Sequence, residues 1–75
     1  MKEGLDSYPS VVIQIDSNHR IIRCSDDIQH ISQHRVDGKS EYTWRSESFY
    51  TTVAGANQQS YPYRDVALSL FETLQ

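Results

Sequence analysis

Cys24, His30 and His34 are the residues whose types best suit chemistry in this chain. A thiolate and two imidazoles spaced Cys-x5-His-x3-His, with Asp27 as a fourth donor, have the ligand types of a zinc centre. The pattern lacks the Cys-x2-Cys knuckle that makes such sites specific. On an extended strand, His30 and His34 would share a face yet stand too far apart to chelate one ion. The ordinary alternative is a small buried thiol and two surface imidazoles. Serines, histidines and aspartates are plentiful, but no nucleophile elbow or Gly-rich oxyanion loop surrounds any of them. The three glycines form no phosphate-cradling loop. The expectation is therefore no catalytic residue, no cofactor and no metal.

Aromatic and charged residues suggest binding instead. Tyr42, Trp44, Phe49 and Tyr50, interleaved with Arg35 and Arg45, have the composition of a base-stacking sheet face. Against this, a small sheet needs its largest side chains inside, so Trp44 and Tyr42 are expected as core beneath a helix. Phe49 and Tyr50 are neighbours and would point opposite ways on a strand, so one of them is expected at the surface. Asp26, Asp27, Glu41 and Glu47 are the acidic candidates for contact with a basic partner. A solvated loop or strand edge is the stronger reading for each taken singly. Tyr50 and Tyr61 are the candidate aromatic anchors, since Tyr is enriched among interface hot spots.

The elements that must position these residues are legible from pattern. Asp37-Gly38 is a strong hairpin signal, because a type I′ turn needs positive φ at both central residues. It implies a strand before it, beginning near Gln29, and the strand Tyr42-Thr43-Trp44 after it. Ile28 and Ile31 stand at helical spacing, which leaves a short helix as the alternative for residues 28–33. Residues 11–15 are β-branched and apolar, with Val11, Ile13 and Ile15 on one face. Asp16-Ser17-Asn18-His19 is a turn cluster leading into a second strand at residues 20–24. Phe49-Tyr50-Thr51 extends the fourth strand or forms a fifth after a kink at Ser46-Glu47-Ser48. Residues 52–60 read as a loop with room for one helical turn. Tyr63, Val66, Ala67, Leu70, Phe71 and Leu74 then form one helical stripe. Leu68 lies off that stripe, between Arg64 and Glu72, and is expected outside. Residues 1–9 have no periodicity and read as a flexible lead-in.

Size and charge bound what these elements can do. The chain has 75 residues, one domain, and a fold this small buries only ~60% of the surface its unfolded chain exposes. A core built from 37% hydrophobic residues leaves little room for a substrate cavity of roughly 300 Å³ or more. Ten acidic side chains against seven basic give a net charge of −3, which argues against a general nucleic-acid binder. The single cysteine admits no internal disulfide, and no apolar run reaches membrane-spanning length. A cytoplasmic protein is the expectation.

The chain also carries a resemblance. The segment Arg20-Ile21-Ile22-Arg23-Cys24-Ser25-Asp26-Asp27-Ile28-Gln29-His30-Ile31-Ser32-Gln33-His34-Arg35, followed by Trp44-Arg45-Ser46-Glu47-Ser48-Phe49, is similar to small proteins of phages and mobile elements. Those tend to carry an Ile-Gln-Trp-Ile-Leu-Gln-Arg-Arg strand, then Trp-Arg-Ser-x-Ser-Phe, then a short amphipathic helix. About half of this chain is covered. It has His30 where that pattern has Trp, Ser32 where it has Leu, and a longer loop before the helix. The family brings no established activity. The resemblance implies a viral or mobile-element origin, a setting in which small acidic inhibitors of host defence occur, anti-CRISPR proteins among them.

The expected fold is α+β, an antiparallel sheet of four to five strands packed against one C-terminal amphipathic helix. The expected function is a small acidic interaction module that inhibits a host protein handling nucleic acid. The alternative is a small nucleic-acid-binding module using a sheet face with Trp44, Tyr42 and Arg45. A homodimer is compatible with either.

Overall fold

The computed structural model describes residues 3–26, 28–36 and 43–73. Among them are four strands: β1 (Val11–Asp16), β2 (His19–Arg23), β3 (His30–Arg35) and β4 (Trp44–Tyr50). They pair antiparallel in the order β1-β2-β3-β4. Two helices come after them, α1 (Val53–Asn57) and α2 (Tyr63–Thr73). The architecture is α+β, with a four-stranded sheet and a C-terminal helix, as the pattern implies. The expected strand near Gln29 is β3, which begins at His30. The Asp37-Gly38 turn lies outside the described residues. Beside it, the Val36 N–H donates to the Thr43 carbonyl at 2.8 Å.

Strand residues alternate between faces, and here both faces are covered. One packs under the helices. Ile21, Tyr50, Ala56, Tyr63 and Ala67 are buried there, with Ile15, Val66, Leu68, Leu70 and Phe71 against them. The other face holds buried Ile22, Cys24 and Ile31, packed with Tyr8 and Val11. Trp44 belongs to this second face. It pairs with Arg35, which alternates in phase with Gln33 and Ile31. Trp44 is thus core, as its size implies, but it lies on the side away from the helices.

The N-terminal segment covers the second face. Residues 3–8, part of the segment read as a lead-in, form a strap across it. The Trp44 N–H donates to the Gly4 carbonyl at 3.1 Å, and the Tyr8 hydroxyl donates to the Arg23 carbonyl at 2.7 Å. Both helices pack on the other side, so polar contacts recruit this segment to close the sheet.

Sequence alternation also misplaces one edge residue. β1 and β2 pair Val11 with Ile22 but Ile13 with Ile21, so Val12 is an extra residue. Such a bulge inverts the phase of the rest of the strand. Val11 therefore joins the Ile22 cluster while Ile15 joins the Ile21 cluster.

The loop expected after β4 contains α1, a short helix. Its Thr52 cap accepts a hydrogen bond from the Gly55 N–H at 3.1 Å. The stripe on α2 holds for Tyr63 and Ala67, which are buried, and for half-buried Val66, Leu70 and Phe71. Leu74 lies outside the described residues. Leu68, expected outside, is half-buried against the same cluster. With α1 packed beside it, α2 buries a wider arc than a helix lying alone on a sheet. No helix among the described residues is long and apolar enough to cross a membrane.

Candidate functional site

Among the described residues, the most exposed large apolar side chain is Tyr61, 94% accessible, in the short connection between α1 and α2. That connection is ordered by its flanks. The Ser60 carbonyl accepts from the N–H groups of Tyr63 and Arg64, opening α2, while the Gln59 side chain is fixed to the sheet. Gln59 Oε1 accepts from the Ser32 hydroxyl at 3.0 Å and from the Ser48 hydroxyl at 2.8 Å. With Ser32 so engaged, the buried Tyr50 hydroxyl donates to Ser32 Oγ at 3.1 Å. Tyr61 and Pro62 line an open depression of about 450 Å³, together with Ser60, Arg64, Asp65 and Val66. Arg64 and Asp65 are exposed, with an ion-pair contact of 3.7 Å. The result is a projecting aromatic ring beside a shallow apolar floor, rimmed by one charge of each sign. A surface like this can contact a protein.

A second cluster gathers beneath the first turn of α2. The Tyr63 hydroxyl reaches two acceptors, the Gln33 carbonyl at 2.8 Å and the Glu47 carboxylate. His34 Nδ1 stands 3.2 Å from the same carboxylate, close enough for an ion pair but off the hydrogen-bond direction. His19, the cross-strand partner of His34, meets the Tyr63 ring edge-on at 5.6 Å and contacts Asp16 Oδ1 at 2.8 Å. Burial first, and then the Glu47 carboxylate, push the Tyr63 phenol far above its ordinary range, so it stays a neutral donor. Glu47 owes this place to another bulge: Ser32 pairs with Ser48 and Gln33 with Ser46, leaving Glu47 between them. Its charge suggests a free acidic contact, but the structure ties it to packing.

The remaining candidates from the sequence are scattered. Asp26 is exposed just beyond the end of β2, where β3 starts, so it lies toward the other end of the sheet from Glu47 and Asn18. Asp27, Glu41 and Tyr42 lie outside the described residues. Tyr50, expected as an exposed anchor, is 5% accessible, and its neighbour Phe49 is the exposed one at 55%. The ladder decides this: Tyr50 pairs with His30 on the helix face, while Phe49 pairs with Ile31 on the other.

Cys24, His30 and His34 are not brought together. Cys24 packs on the strap face, and its Sγ accepts from the Ile28 N–H. His30, expected at the surface, is buried on the helix face between the rings of Tyr50 and Phe71. Among the described residues, no three of His, Cys, Asp and Glu are placed to hold a metal ion. Trp44 is buried, 4% accessible, and does not present its ring at the surface. The guanidinium carbons of Arg20 and Arg35 lie 4.4 and 4.6 Å from its ring centre, and its Nε1–H donates to Asp6 at 2.9 Å.

Sequence reasoning missed the polar core of the strap face. Arg20 is 1% accessible and Gln33 is fully buried. The signal was present: Arg20 shares strand phase with Ile22 and Cys24, and Gln33 shares it with Ile31. A long polar side chain in an apolar phase asks for a buried partner.

Comparison of the chain with family models, with curated proteins and with solved structures found no match.

Proposed function

We propose that this chain is a small protein-interaction module that inhibits a host protein handling nucleic acid, an anti-defence factor of the kind carried by phages and mobile elements, anti-CRISPR proteins among them. The observation that carries the reading is Tyr61. A large amphipathic ring that projects from a connection pinned at both flanks brings contact area at low entropic cost, as interface anchors do. The acidic excess supports a basic partner surface, such as nucleic-acid-handling proteins present, and favours fast, salt-sensitive association. The resemblance to mobile-element proteins supports the setting, and a cytoplasmic site of action goes with it.

In this reading Tyr61 is the anchor, with Pro62 and Val66 beneath it. Asp26, Asp27 and Glu41 supply steering charge. The test is affinity capture from the native host with wild-type protein and with Tyr61→Ala. Both should be equally folded, because an exposed ring contributes little to stability. A specific partner retained by the wild type should be lost or depleted about tenfold or more with the variant, as for a hot-spot truncation. Its binding should weaken with added salt. Equal retention by both proteins, or a salt-independent association, would remove this reading. Direct tight binding of DNA or RNA by the purified chain would replace it with the nucleic-acid alternative.

A further inference from the structure

The strap face has the chemistry of a peptide-binding site, and the chain's own N-terminal segment occupies it. Arg20 supplies a fixed fork of donors. Its Nη2 donates to the carbonyls of Glu3 and Leu5, both at 3.0 Å, and its Nη1 to that of Asp6 at 3.4 Å. Its Nε is held by Gln33 Oε1 at 2.7 Å. Gln33 Nε2 in turn donates to the Glu3 carbonyl at 3.0 Å. The Trp44 main-chain N–H takes the Gly4 carbonyl. Four successive carbonyls, residues 3–6, are thus read by donors on β2, β3 and β4. Two side chains are read as well: the Asp6 carboxylate accepts from Trp44 Nε1 at 2.9 Å and from Arg35 Nη2 at 3.4 Å, and the Glu3 carboxylate accepts from the Ser25 N–H at 2.9 Å.

This division matches extended-peptide recognition, in which main-chain bonds give affinity and one or two side-chain pockets give specificity. The donors to the four carbonyls and to Asp6 all sit on the sheet and are ordered by it. The guanidiniums of Arg20 and Arg35 both lie over the Trp44 ring, and Gln33 orients Arg20. The strap, by contrast, buries little of itself. Asp6 and Ser7 are exposed, and residues 3–5 and Tyr8 are half-buried. It precedes β1, and Tyr8, packed on the same face with its hydroxyl on the Arg23 carbonyl, tethers its end, so residues 3–6 can lift without breaking the ladder of β1 to β4. Among the described residues, Arg20's hydrogen bonds run to neutral oxygens, and Asp6 answers two guanidiniums with one carboxylate. An acidic occupant suits the face for that reason.

We propose that Arg20, Gln33, Arg35 and Trp44 form a binding site for an extended acidic peptide of a partner protein, an acidic residue following three main-chain carbonyls, and that residues 3–6 fill this site in cis until displaced. The site is separate from Tyr61 and stands independently of the reading built on that residue.

Two measurements test it. The first uses the full chain with Leu5→Ala and Asp6→Ala, which weaken the strap but leave every sheet donor in place. A fluorescent peptide with the sequence of residues 1–9 is titrated against this variant and against the wild type. The variant should bind at least about tenfold more tightly, because the wild-type strap competes at an effective concentration on the order of millimolar. A peptide with Ala in place of its aspartate should bind about tenfold more weakly, as should the wild-type peptide against a further Arg35→Gln change. No saturable binding to the folded variant overturns the proposal. So does wild-type protein that dimerises with concentration by exchanging straps, which would assign the site to a second copy. The second measurement is hydrogen exchange in the unaltered protein, which needs no variant to fold. The Trp44 amide, bonded to the strap, should exchange through a smaller opening than the Arg35 and Val36 amides, bonded to Asn18 and Thr43. If all three exchange only in global unfolding, the strap is not a displaceable occupant and the proposal fails.

Discussion

The Cα of Gly55 sits so close to Tyr50 that a Cβ built on it would come within 2.8 Å of the Tyr50 Cβ. This contact sets how closely α1 rests on β4, and through Gln59 it sets where the α1–α2 connection begins. Gly55→Ala gains helix propensity but must push α1 off the strand. The expected result is net destabilisation of about 1–3 kcal/mol, the usual range for an overpacked contact. Urea melts should show a lower midpoint at unchanged slope. A variant as stable as the wild type would show that α1 can shift freely.

Tyr63 is held neutral by its burial and by Glu47, so the folded protein resists its ionisation above the ordinary 10.0. The unfolded chain loses that proton first, and stability should fall as pH rises above about 10. Tyr63→Phe removes the hydroxyl shared by the Gln33 carbonyl and Glu47, and leaves those acceptors short of a donor. It should cost about 1–3 kcal/mol near neutrality and flatten the alkaline limb. Phenolate absorbance during alkaline titration, compared between the two proteins, is the direct measurement.

His30 behaves in the opposite sense. Burial between Tyr50 and Phe71, and then the nearby Arg23 charge, hold its imidazole below the ordinary 6.5. The unfolded chain takes up the proton first as pH falls, so stability is full above about 6.5 and declines beneath it. In His30→Gln the decline between neutral pH and the folded-state value should shrink. A stability profile of the variant parallel to that of wild type through this window would show that His30 does not carry the dependence.

Asp6 couples the strap to Trp44. The hydrogen bond from Trp44, followed by the Arg35 charge, draws its carboxyl below the ordinary 3.8. This contribution is present above that value and is lost as pH falls through the lower folded-state value. Trp44 is the only tryptophan, so its fluorescence reports the event. The emission should change at acid pH before the far-ultraviolet signal of the sheet does, and Asp6→Asn should abolish that separate step. A single coincident transition in both proteins would argue that the strap and sheet come apart together.

Local pattern was enough for much of the architecture. β-branched runs and the turn cluster at residues 16–19 place β1 and β2, Asp37-Gly38 implies β3 and β4, and the helical stripe from Tyr63 places α2, because these signals depend on neighbours within a few residues. That Phe49 and Tyr50 face opposite ways comes from the pleat alone. Which of the two is buried does not, since it depends on whether His30 or Ile31 stands opposite. Bulges at Val12 and Glu47 shift the phase of whole segments, and nothing in the flanking residues marks them. Asp6 and Trp44 lie 38 residues apart, and no periodicity links them. Residue order thus accounts for the elements and for the acidic excess of charge. It took packing across the sheet to put Trp44 beneath a strap, to tie Glu47 to Tyr63 and to leave Tyr61 projecting. Burial depends on the segment that lands opposite a residue, and that segment is distant in the chain.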